Sequence, residues 1–153
     1  IPGLHDAHIH VYELGCLAST VDLSGCSSIQ QLKDRLSVWC AAHPGEGYVE
    51  GNHWDQDLLG ELPTAADLDA VTSTRPVVLN RRCWHVCVAN SCAMRLCSID
   101  HSTPDPVGGQ IDREENRKPT GVFREVGMEL LFPVTRKPQP QATQLKYLER
   151  GLT

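Results

Sequence analysis

The run RPVVLNRR at 75–82 constrains the fold more than any other stretch. Pro76 to Asn80 is a compact apolar segment fenced by charge. Such a segment reads as a strand buried on both faces, the kind found in a sheet covered by helices. Upstream, Ser27 and Ser28 offer an N-cap to Ile29, Leu32, Leu36 and Trp39, apolar at near-helical spacing. That helix should end before Pro44–Gly45, a breaker pair. A short strand is expected at Gly47–Gly51. LPTAADLDAV at 62–71 then reads as a short helix opened by Pro and Thr, with Asp67 where negative charge suits the dipole.

Past the buried run, Asn90 and Ser91 resemble the cap of a helix reaching about Cys97, and 98–109 reads as loop. GGQIDREENRKPTGVF is patterned as a β-hairpin around a polar turn at Glu115–Lys118. A helix is expected from about Arg124 to Phe132. The stretch 133–140, with its three prolines, suits a linker or tight excursion. A further helix should begin at Gln141, with Leu145, Leu148 and Leu152 on one side. Strands and helices alternate unevenly and a hairpin intrudes, which predicts an α/β protein carrying an elaborated insertion.

Composition excludes more than it selects. The formal charge is −5 and the cations are scattered, so there is no basic stripe for nucleic acid. No apolar run approaches the roughly 20 residues that span a bilayer, and no secretory signal stands at the start. The chain begins at Ile1 as though cut from something longer, so the compartment stays open, with the cytoplasm slightly favoured. Oligomeric state cannot be read. Seven cysteines form an odd set that does not suggest a disulfide framework. Cys83, Cys87, Cys92 and Cys97, with His85 among them, raise a structural zinc site. Their separations of three, four and four residues, with Val, Ala and Leu between, favour core packing instead.

The segment DAHIH at 6–10 admits two readings, a pair of histidines in an ordinary surface strand or a metal clamp, and H-x-H alone favours the former. In a strand over 6–12, His8 and His10 face one side and can converge on a divalent cation, zinc by default. Asp6 shares that side and can orient a histidine from behind.

DAHIH after PGL resembles the first-strand signature of the amidohydrolase superfamily. VDLSGCSSIQQL, GNHWDQ, LPTAADLDAV, RPVVLNRRCWHVCVANSCAMRL, STPDPVGGQIDRE and KPTGVFRE resemble, in order, the successive landmarks of its YtcJ-like, or amidohydrolase-3, branch. The resemblance implies that residues 1–153 are the N-terminal part of a catalytic domain. Its fold would be a partial (β/α)8 barrel, the first strand and following elements, with an α+β insertion. It implies metal-assisted hydrolysis of carbon–nitrogen bonds in small amide-type substrates, with one or two ions in the full-length parent.

Carried over by position, His8 and His10 are metal ligands and Glu125 is a third. His85, Trp54 and Asp55 fall at the substrate pocket. Relatives usually carry glycine where His53 stands and a small residue where Trp84 stands, so Trp84 could narrow a pocket beside His85. Cys87 and Cys92 replace alanine. After His101 there is no histidine, so the later ligands and the catalytic aspartate are missing, and the chain alone is expected to be inactive. The competing expectation is a non-catalytic structural or interaction module with a Cys/His zinc site.

Overall fold

The computed structural model describes residues 15, 19–45 and 47–135. Contacts divide the chain into two units, Ile1–Thr20 with Pro138–Thr153, and Val21–Lys137. Every element below belongs to the second unit. The strand expected at 6–12, the later part of the expected linker and the helix from Gln141 lie outside the described residues.

Strands β1 (Val21–Asp22), β2 (Val49–Trp54), β3 (Val77–Arg81), β4 (Val86–Ala89), β5 (Gly109–Arg113) and β6 (Pro119–Glu125) form one sheet in the order β1-β2-β3-β4-β6-β5. β1, β2 and β3 run parallel, and the remaining pairings are antiparallel. The helices are α1 (Ile29–Ala42), α2 (Gln56–Leu59), α3 (Ala65–Asp69), α4 (Ser91–Leu96) and α5 (Phe132–Thr135), the last entered through 3-10 turns at Val126–Leu131.

The buried run behaves as its composition requires. Val77 and Leu79 pack with Leu32 and Leu36 of α1 on one face, while Val78 packs with Phe123, Ile111 and Ala93 on the other. Burying each of these side chains is worth about 1.5–3 kcal/mol. Gly51 permits the approach of the first layer, since a Cβ there would lie 2.6 Å from the Leu79 side chain. Helix α1 starts where the serines predict. The Ser28 hydroxyl accepts from the Gln31 amide, and the Gln31 side chain accepts from the Ser27 amide. Such reciprocal capping satisfies two otherwise orphaned donors.

Several expectations need correction. β2 runs on to Trp54, because its indole is buried and donates to the Leu79 carbonyl at 2.9 Å. β4 reads as an uninterrupted apolar run with no alternation, since both its faces are covered. The helix expected from Arg124 gives way to two more strand residues. Arg124 forks onto Asp112 across the hairpin, and the Glu125 amide donates to the His85 carbonyl at 2.9 Å, which prolongs the ladder. Pro133 to Thr135 are helical rather than linker, with Pro133 in a first turn that needs no amide donor.

Among the described cysteines, Cys26, Cys87 and Cys92 are buried packing residues. Cys87 and Cys92 are buried, and burial pushes the Cys87 thiol up to about 12, far from a thiolate able to bind metal. Cys83 is exposed. Among the described residues no three His, Cys, Asp or Glu side chains assemble to hold a metal ion, so the Cys/His zinc site does not form there.

Candidate active-site edge

Strand direction decides which residues meet. The C-terminal ends of β1, β2 and β3 share one edge of the sheet. β4 is antiparallel to β3, so its head lies on that edge, and β6, antiparallel to β4, ends there as well. The edge therefore collects Asp22, His53, Arg81, Trp84, His85 and Glu125. Ligands of α/β proteins are bound at the carboxyl ends of parallel strands.

His85 and Glu125, two of the residues singled out in sequence, are brought together. The His85 Nδ1 lies 2.8 Å from the Glu125 Oε2, while the Glu125 backbone is tied to His85 through its amide. Both side chains are exposed, at 65% and 58%. Exposed pairs of this kind contribute about 0.2–1 kcal/mol to folding. That small gain does not account for the backbone that presents the carboxylate. Glu125 sits at φ 50°, ψ −128°, a conformation costly for any residue with a side chain. An open cavity of about 380 Å³, lined by His85, Val86, Gly108, Gly109, Gln110, Arg124 and Glu125, lies over the pair. A carboxylate oxygen fixed by an imidazole leaves its twin oxygen for a cation or a proton, which suits a metal ligand.

Trp54 and Asp55 are placed differently. Trp54 is fully buried in the first core layer. Asp55 is buried, caps α2 through the Asp57 amide, and receives the Arg82 guanidinium at 2.8 Å. That guanidinium bond holds its carboxyl below the usual range. Asp6, His8 and His10 lie outside the described residues.

Sequence reasoning did not place His53 and Trp84 together. Their rings meet edge to face, with centroids 6.2 Å apart at 87°. The His53 Nδ1 lies 3.6 Å from Asp22, whose carboxyl is lowered chiefly by the Ser24 amide. Both residues have left-handed backbone, φ 72° and 61°. The visible signal was a bulky residue at each position where glycine or a small residue is usual.

Residues 1–153 match the model of the Amidohydrolase family, in its amidohydrolase-3 form, along their whole length. The chain belongs to the amidohydrolase family. It is 31% identical over 155 residues to the putative amidohydrolase YtcJ of Bacillus subtilis, covering 99% of this chain and 28% of that protein. It is likewise 31% identical over 135 residues to the N-substituted formamide deformylase of Arthrobacter pascens, covering 86% of this chain and 25% of the relative. A crystal structure of an uncharacterized metal-dependent hydrolase from Pyrococcus horikoshii superposes with TM-score 0.69 at 33% identity, over 95% of this chain and 27% of that one. The chain thus spans about a quarter of the length of the curated relatives it matches. Among the described residues no helix is long and apolar enough to cross a membrane.

Proposed function

We propose that this chain supplies one side of the active site of a metal-dependent hydrolase that cleaves the carbon–nitrogen bond of small, non-peptide amides. The observation that carries the reading is the exposed His85–Glu125 pair on the carboxyl edge of the sheet, set on a backbone strained at Glu125. In this reading the parallel strands β1 to β3 and their helices belong to the opening part of a (β/α)8 barrel, and the antiparallel strands are its insertion.

His8, His10 and Glu125 would hold a divalent cation, zinc by ligand type, with Asp6 orienting one of the imidazoles. When bound, such an ion polarises a carbonyl and activates water. The chain's own part is positional. His85 fixes the Glu125 carboxylate through its Nδ1. Three protein ligands are only the minimum of a catalytic site, and residues 1–153 hold neither the later histidines nor the catalytic aspartate that the resemblance implies, so in this reading the 153-residue chain binds the ion weakly and turns over no amide alone.

Zinc titration of the purified chain, read by calorimetry, tests this. Binding should vanish in His8→Ala and His10→Ala, weaken about tenfold in Glu125→Gln, and persist in Cys87→Ala. Zinc retained by a His8→Ala/His10→Ala double variant would refute the metal assignment. Hydrolysis of a simple formamide by the chain alone, lost in His8→Ala, would overturn its inactivity.

A further inference from the structure

Among the described residues five non-glycine residues have positive φ: His53, Trp84, Ser98, Arg117 and Glu125. Ser98 and Arg117 lie in turns away from the site. The other three stand together on the carboxyl edge. Left-handed backbone is costly for any residue with a Cβ and persists where the surroundings enforce it, as at ligand clamps. The enforcement is visible. The Trp84 amide donates to the Arg81 carbonyl and the Arg82 amide to the Trp54 carbonyl, each at 3.0 Å, while β2 bulges between Gly51 and Trp54.

The two rings so held are not core residues. Trp84 is 48% exposed, whereas Trp54, a few residues along the same edge, is wholly buried. The indole, braced on one side by the His53 ring and adjoining His85 in sequence, keeps about half of its surface open on the carboxyl edge.

We propose that Trp84, with His53 set against it, forms an aromatic wall of the site that receives a flat, uncharged aryl substituent of the amide substrate. The word substrate rests on the hydrolase reading above; the wall is tested by binding. Offset or edge-to-face packing on such rings adds attraction beyond the area buried. A cation would also be drawn to the indole face. The carboxylates near it are engaged, however: Asp22 with His53 and Ser24, Asp55 with Arg82, Asp57 with Arg81. The same pairs neutralise Arg81 and Arg82, so that turn offers no free carboxylate to hold a cation.

Acetanilide and N-propylacetamide, titrated into the full chain with and without zinc, compare an aryl with an alkyl amide. The Trp84 indole N–H resonance reports the contact. Acetanilide should bind at least fivefold tighter and shift that resonance. Trp84→Gly, which suits the left-handed backbone, should bring the two ligands level; Trp84→Phe should restore most of the preference, and His53→Gly should reduce it. Equal affinities in the unmodified chain, no saturable shift with acetanilide, an unchanged preference in Trp84→Gly, or tighter binding of tetramethylammonium would each overturn the wall. Aryl preference that survives in a chain shown to bind no metal through His8 and His10 keeps the wall while the hydrolase reading fails. Loss of the preference with zinc binding intact removes the wall alone.

Discussion

At the scale of single residues, Asn90 shows how one side chain can join three elements. It is wholly buried, and its Oδ1 accepts from the Val77 and Ala93 amides while its Nδ2 donates to the Thr72 and Arg75 carbonyls. All its bonding capacity is used, and truncation strands four backbone groups at roughly 1 kcal/mol each. Asn90→Ala should therefore lose about 3–4 kcal/mol in chemical denaturation, and Asn90→Asp, which keeps the acceptor and loses both donations, should fall between. A loss under 1 kcal/mol would contradict this accounting. His53 should behave oppositely. His53→Gly relieves a left-handed side chain and gives up only the solvent-facing contacts with Trp84 and Asp22, so a gain of about 0.5–1 kcal/mol is expected in the same assay. Asn90 was legible in sequence as a cap. Its bonds to Val77, Thr72 and Arg75 were not, because nothing in one sequence says which distant carbonyls a cap will find.

At the scale of elements, legibility followed periodicity and capping chemistry. Helix α1 and the β5–β6 hairpin announce themselves through spaced leucines and a polar turn. β1 has too few residues to show a pattern, and the small helix α2 was overlooked although Asp55 caps it and Gly60 closes it at φ 79°. Neighbouring strands β2 and β3 also carry a polar contact that patterning cannot reveal. The Asn80 Nδ2 donates to the Asn52 Oδ1 at 2.9 Å and to the Glu50 carboxylate at 3.2 Å. Burial raises the Glu50 carboxyl above its usual value. Between the unfolded and folded values the native state holds the proton more firmly, so this group loses stability as pH rises through that window. Glu50→Gln should thus gain more in Tm over the unmodified chain at about pH 7 than at about pH 4. A gain independent of pH would show that desolvation is not the cause.

At the scale of the whole molecule, charge pairing sets the acid limit. Asp22, Asp55, Asp100 and Asp105 all have lowered carboxyls, held first by the Ser24 amide, the Arg82 guanidinium, the Ser102 hydroxyl and the Arg113 guanidinium respectively. Their contribution is complete above the ordinary aspartate value near 4 and is lost as pH falls through the depressed values. Circular dichroism should show the fold intact to about pH 4 and unfolding below; loss of structure already near pH 6 would point to another group. The α/β class and the family were legible from patterns and landmarks. The carboxyl edge as a meeting place was not, since it follows from the reversal at β4, which only pairing in space discloses.

That reversal has a practical outcome. Because β3 and β4 are joined by a tight turn rather than a long crossover, Arg82, Cys83 and Trp84 occupy a loop closed by the Trp84 amide on the Arg81 carbonyl and pinned to β2 by the Arg82 amide on the Trp54 carbonyl. The exposed Cys83 and Trp84 side chains can be exchanged in a library while Arg82 keeps its buried partner and the strands beneath stay in register, giving an evolutionary or engineering dial for what the mouth admits.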